Sequence, residues 1–182
     1  MNRANEGDRG GDRDLALRVS SGDPKAFQAM YDRFSPMVFT TAQRLSASSD
    51  IASDVLQDFF VALPENLKQF RGHGSLEGWL RRVSTNMTLT TMRRNKRRRE
   101  VPIAALSPQN PATTQKLEQS IIDGCALESA LARLSEPLRV VFVLKEVEGY
   151  THAEIGRLLG IRPGTSEVRL HRAKQELRRL LR

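Results

Sequence analysis

Cysteine is almost missing from the 182-residue chain: Cys125 stands alone, so it can close no internal disulfide and build no cysteine-based metal site. Histidine does not fill the gap, because His73, His152 and His171 are far apart and carry no ligand spacing. Aromatic residues make up only 5% of the chain. Small helical units packed on Leu, Val, Ile and Ala suit that scarcity better than a sheet sandwich, which wants β-branched and aromatic alternation. No apolar run is long enough to cross a bilayer. The opening residues, MNRANEGDRGGDRD, have no apolar core and do not read as a secretory signal. A reduced, soluble, cytoplasmic chain with no metal, no cofactor and no membrane insertion is therefore expected.

What is present in excess is positive charge. A formal charge of +8 and a pI near 10.4 favour a polyanionic partner, because Lys and Arg that neutralise phosphates release counterions. Nucleic acid is the first candidate and a membrane surface the second. The length suits one ordinary domain or two small ones.

Residues 1–12 are rich in Gly, Asp and Arg and are expected to be disordered. Helical periodicity begins at Leu15. Asp23 and Pro24 form a cap and first-turn pair, followed by a stripe of Ala26, Phe27, Met30, Tyr31 and Phe34, expected to be core. Pro36 predicts a break or a kink. Asp50 is expected to cap the next helix, whose apolar stripe is Ala52, Val55, Leu56, Phe59, Phe60 and Leu63. Asp54, Gln57 and Asp58 lie on its other side. No His, third carboxylate or Gly-rich loop accompanies the two acids, so they read as a solvated docking ridge for a basic partner rather than a catalytic pair.

Phe70 opens a loop with Gly72 and Gly74 that leads to a helix capped by Ser75, with Trp79, Leu80, Val83 and Met87 on its buried side. From Arg81 to Arg99 there is no acidic residue, while Arg81, Arg82, Arg93, Arg94, Lys96, Arg97, Arg98 and Arg99 are basic. A block of this density repels itself unless phosphate is near. Residues 100–124, with three prolines and no sustained apolar face, read as a linker. The fold expected is all-α: two small helical domains, 13–99 and 125–182, joined by a flexible linker.

The last stretch carries the sharpest pattern. Thr151 followed by Glu154 is a capping-box start, and Ile155, Leu158 and Leu159 share a helix face. Gly160 supplies a left-handed turn and Pro163 starts a second helix. The inward stripe of that helix is Leu170, Ala173, Leu177 and Leu181. Opposite stand Val168, His171, Arg172 and Gln175, with Glu167 on the flank. A short helix, a turn and a longer helix with an outward polar face make a helix-turn-helix, whose second helix enters the major groove. Gly156 is small enough to let the two helices cross closely.

These residues resemble a known family. LSEPLRVVFVLKEVEGYTHAEIGRLLGIRPGT, continued by RLHRAK, looks like region 4 of the extracytoplasmic-function (ECF) sigma factors of bacterial RNA polymerase. DVLQDFFVAL looks like region 2.2 and FRGHGSLEGWLRRVSTNMTLTTMRR like regions 2.3 and 2.4, so the resemblance runs from about Leu15 to Arg182. It implies a promoter-recognition subunit with no catalysis of its own. Its partners would be core polymerase (β and β′ subunits) and promoter DNA, and it leaves an anti-sigma factor open as a further one. In the cell it would be nucleoid-associated when bound to polymerase.

Residue by residue, the resemblance places Asp54, Gln57 and Asp58 against the β′ clamp helices. It places Phe70 and Asn86 at a flipped base of the -10 element, with Arg81, Arg93 and Arg94 on phosphates. Thr165, Glu167, Val168, Arg169, His171 and Arg172 fall at the -35 element, although Arg169 is equally suited to pair with Glu154. Two positions depart from the pattern: Ser166 stands where the family usually has an apolar residue, and Glu167 where it has a basic one. Glu167 would accept from a cytosine amino group rather than read guanine. Two other readings stay open: a stand-alone helix-turn-helix regulator, and a nucleic-acid-processing enzyme, for which no nucleophile, metal set or phosphate loop is found.

Overall fold

A computed structural model describes residues 4–72, 74–100 and 122–181, all of them helix, turn or loop. The helices are α1 (Ala4–Ser20), α2 (Pro24–Ser46), α3 (Ser49–Leu67), α4 (Leu76–Glu100), α5 (Ile122–Arg133), α6 (Glu136–Phe142), α7 (His152–Leu159) and α8 (Pro163–Leu180), with a π-helical turn, Val143–Val147, continuing α6. The chain divides into two compact units, Met1–Met92 and Arg93–Arg182. That division falls within α4 rather than at residue 99. Most of the expected linker, 101–121, lies outside the described residues, as do Met1–Arg3 of the expected disordered start.

In the first unit α1, α2 and α3 pack together, and Leu76 and Leu80 at the start of α4 join their core of Met30, Phe34, Val38, Phe59 and Leu63. Asp23 caps α2 as expected, its carboxylate accepting from the Lys25 N–H at 2.9 Å and the Ala26 N–H at 3.3 Å, with Pro24 at the first helical position. The Arg18 guanidinium, 2.7 Å away, holds that carboxyl below the usual range, with help from those two amides.

Four expectations are corrected here. α1 begins at Ala4, so 4–12 is helical rather than disordered, and buried Asp12 is tied to Arg33 of α2 at 2.9 Å. Pro36 does not break α2, because Met30 and Phe34 before it and Val38, Ala42 and Leu45 after it bury on one face. That shared burial outweighs the missing hydrogen bond and ring clash, which together cost about 3 kcal/mol in a helix interior. Ser48, not Asp50, caps α3: Ala47 closes α2 in the left-handed region (φ 54°), which leaves the Ser48 hydroxyl to accept from Ile51 N–H at 3.3 Å. Tyr31 is not core but lies 38% exposed, its ring 4.7 Å from Phe60.

In the second unit α5, α6 and α7 pack on α8 around Leu131, Val141, Leu144, Ile155, Leu170 and Ala173. Arg139 is buried among them and donates to the Leu134 carbonyl at 2.9 Å. Burial pushes its pKa down from the ordinary guanidinium value, partly offset by Glu136.

Candidate nucleic-acid and partner interfaces

The pair α7 and α8 is built as the sequence requires. Thr151 Oγ1 accepts from Glu154 N–H at 3.2 Å, and Glu154 Oε2 accepts from Thr151 N–H at 2.8 Å, closing the capping box. Glu154 Oε2 also accepts from the Thr151 hydroxyl at 2.8 Å. Gly160 sits at φ 67° and ends α7. Gly156 is needed where the turn closes onto α8: a Cβ there would lie 2.7 Å from the Ile161 carbonyl oxygen and 3.6 Å from Pro163, the first residue of that helix.

On α8 the buried positions are Ser166, Leu170, Ala173 and Leu177. Leu181, expected on that stripe, ends the helix and is 49% exposed. Turned outward are Thr165, Glu167, Val168, His171 and Arg172, all exposed, with Arg169 half-buried on the edge. Gln175 reaches His171 along that face, 3.0 Å from its Nε2. Behind it, Lys174 pairs with Glu146 of the π-helical turn at 3.0 Å. The hydroxyl of Ser166 lies 2.9 Å from Nδ1 of His152, a partner that single-sequence reasoning did not supply.

In the first unit, Phe70 is half-buried and its ring stands 5.6 Å from that of Trp79, tilted by 55°. The loop after it turns through Gly72 (φ 74°) and Gly74 (φ 84°) before Ser75 caps α4 by accepting from Gly78 N–H at 3.1 Å. Asn86 is exposed on α4, and so are Arg93 and Arg94 on the part of that helix assigned to the second unit. Arg81 is half-buried and paired with Glu77 at 2.9 Å, an acid just outside the basic block. The buried face of α4 is also more polar than expected: Ser84, Thr85, Thr88 and Thr91 lie on it, Thr88 Oγ1 donating to the Ser84 carbonyl at 2.8 Å.

Asp54, Gln57 and Asp58 stand exposed on one side of α3. Val61, which the apolar pattern did not single out, follows them at helical spacing and is 77% exposed. A carboxylate ridge ending in a bare apolar side chain suits a basic, partly apolar partner surface. Among the described residues no helix is long and apolar enough to cross a membrane, and no three potential metal ligands are grouped.

Comparison with known proteins gives a consistent set of likenesses. Residues 30–98 match the family model for sigma-70 region 2, and residues 126–177 match that for sigma-70, region 4. The ECF RNA polymerase sigma factor SigM of Mycobacterium tuberculosis is 31% identical over 170 residues, covering 93% of this chain and 84% of that protein. The ECF RNA polymerase sigma factor SigE of Mycolicibacterium smegmatis is 35% identical over 144 residues, covering 78% of this chain but only 56% of that longer protein. Among solved structures, the sigma factor RpoE of Bartonella quintana, in complex with the anti-sigma factor NepR, has a TM-score of 0.55 at 25% identity, covering 86% of this chain and 97% of that one. CnrH in complex with the cytosolic domain of CnrY has a TM-score of 0.53 at 26% identity, covering 93% and 96%.

Proposed function

We propose, for a chain that belongs to the ECF group of the sigma-70 family of RNA polymerase sigma factors, that its two helical units grip two separate promoter elements while the ridge on α3 holds core polymerase. The chain serves transcription initiation, and a stand-alone regulator is not the favoured reading. Its place of work is the cytoplasm, on polymerase and DNA. Domains of 13–99 and 125–182, with a linker at 100–124, remain the proposed division of labour.

The observation that carries the reading is the sorting of α8. Ser166, Leu170, Ala173 and Leu177 are buried against the rest of the unit, while Thr165, Glu167, Val168, His171 and Arg172 face solvent. A helix so mounted can lay its outward face in the major groove of the -35 element. Arg172 then donates to a base edge, Glu167 accepts from a cytosine amino group, and Val168 offers an apolar surface to a thymine methyl.

At the -10 element Phe70 and Asn86 are the proposed contacts with an unpaired base of the non-template strand. Flipping a base costs a few kcal/mol, and stacking on an aromatic ring is worth about 1–3 kcal/mol per base. Trp79 behind Phe70 keeps that ring in place. Arg81, Arg93 and Arg94 hold phosphates, Arg81 by exchanging its pair with Glu77 for one with the strand. Asp54, Gln57 and Asp58 meet the basic clamp helices of the β′ subunit, and Val61 adds an apolar contact at the end of the ridge.

Run-off transcription with purified core enzyme tests this. Promoter-specific transcript should depend on adding the chain; specific duplex binding that core enzyme leaves unchanged, with no such transcript, would favour the stand-alone regulator.

A further inference from the structure

We infer that His152 is a positioning residue for the base-facing helix α8: locked onto Ser166, its ring fixes the rotation at which Thr165, Glu167 and Val168 meet DNA. The inference rests on the proposed reading of the -35 element by α8.

The first turn of α8 is where a fixed geometry matters most and where the usual device is missing. Arg162 occupies the N-cap position without a side-chain hydrogen bond to the free amides, so although Pro163 sets the backbone of the first turn, no cap side chain ties that turn down. Apolar packing at Leu170, Ala173 and Leu177 begins further along and is not directional. A polar tie further along, Lys174 to Glu146 at 3.0 Å, lies beyond the base-facing turn.

Ser166 fills this gap. Its side chain is wholly buried (0% exposed), and its hydroxyl lies 2.9 Å from His152 Nδ1. A buried hydroxyl left without a partner costs more than one removed altogether, so the bond resists any rotation that would open it. His152 is a firm point to bond to, as the first residue of α7, directly after the Thr151–Glu154 capping box. Ser166 is flanked by Thr165, Glu167 and Val168, all exposed. Successive residues of a helix are separated by about 100°. Holding Ser166 inward therefore sets the angle of all three. The hydroxyl at a position where the family resemblance expects an apolar side chain is thus accompanied by its own partner across the turn.

The test uses the full chain bound to core polymerase and measures initiation at a cognate promoter divided by that at the same promoter with a scrambled -35 element. His152→Ala and Ser166→Ala should each lower this ratio about fivefold, as expected for loss of one neutral hydrogen bond, and the double variant should fall no further than either single one. His152→Asn, whose amide nitrogen can take the place of Nδ1, should keep the wild-type ratio, whereas His152→Gln should not. Should the alanine variants fail to fold, the Asn and Gln pair carries the comparison alone. An unchanged ratio in the alanine variants while Arg172→Ala lowers it, a double variant equal to the product of the singles, or equal losses in His152→Asn and His152→Gln would each overturn the inference. An unchanged ratio in Arg172→Ala as well would overturn the -35 reading and the inference with it.

Discussion

On α8 most of the side chains assigned to DNA stand in solvent on a helix held from behind, whereas of the pair Phe70 and Asn86 the aromatic is half-buried beside Trp79 and the amide is exposed. The contrast matches the forms of DNA that the two would meet. Base edges of a duplex are already displayed in the major groove, so a rigid helix with a fixed rotation can read them. An unpaired base arrives with both faces bare, and a ring backed by a second ring meets it without losing its own place. Preorganisation in one unit is rotational, and in the other it is a matter of stacking.

The strongest break in the comparison should come from removing what both units depend on. Charge reversal at Asp54 and Asp58 should lower affinity for core polymerase about a hundredfold, since like charges placed together cost several kcal/mol. Fluorescence titration of labelled chain against core enzyme measures it, and equal affinity would remove the ridge from the interface. Phe70→Ala with Asn86→Ala should slow promoter opening about tenfold to a hundredfold and leave core affinity unchanged, as followed by permanganate reactivity of the -10 region. Normal opening in the double variant would end the pocket assignment.

Smaller effects sharpen the contrast. Gly156→Ala should destabilise the second unit by about 1–3 kcal/mol, because its Cβ would press on the Ile161 carbonyl; thermal unfolding checks it. Arg172→Ala should lower initiation at a cognate promoter about tenfold without changing core affinity. The least effect is expected at Asp23, whose pKa is lowered by the Arg18 hydrogen bond and then by the Ala26 and Lys25 amides. A carboxyl so depressed stabilises the fold above its unfolded pKa, near 3.9, and loses that contribution as pH falls through its folded value. The wild-type advantage in Tm over Asp23→Asn should therefore be present at neutral pH and close in strong acid.

Where the chain uses local chemistry, its sequence was legible. Asp23 with Pro24, Ser75, Thr151 with Glu154, Gly160 and Pro163 each mark a helix end at the expected residue, because caps and left-handed turns depend on side chains within a few positions. Burial overrode local preference at Pro36. The choice of Ser48 over Asp50 turned on the conformation of Ala47, which no propensity scale contains. The bond between His152 and Ser166 is a tertiary fact, and the π-helical turn at Val143–Val147 is a local widening that no helical periodicity announces. Among the site residues, the exposure of Asp54, Glu167 and Arg172 followed from helical period, Asn86 came only from the family resemblance, and the Trp79 backing of Phe70 and the Glu77 partner of Arg81 needed coordinates or a neighbour outside the basic block.

Run-off transcription by core enzyme plus this chain, on templates in which the -35 and -10 elements are altered separately, tests most directly whether two units read two elements from one docked subunit. The account predicts that transcript requires both chain and core, that -35 changes are sensed only through α8 variants, and that -10 changes are sensed only through Phe70 and Asn86 variants. Transcript independent of either element, or a chain that never associates with core enzyme, would contradict it.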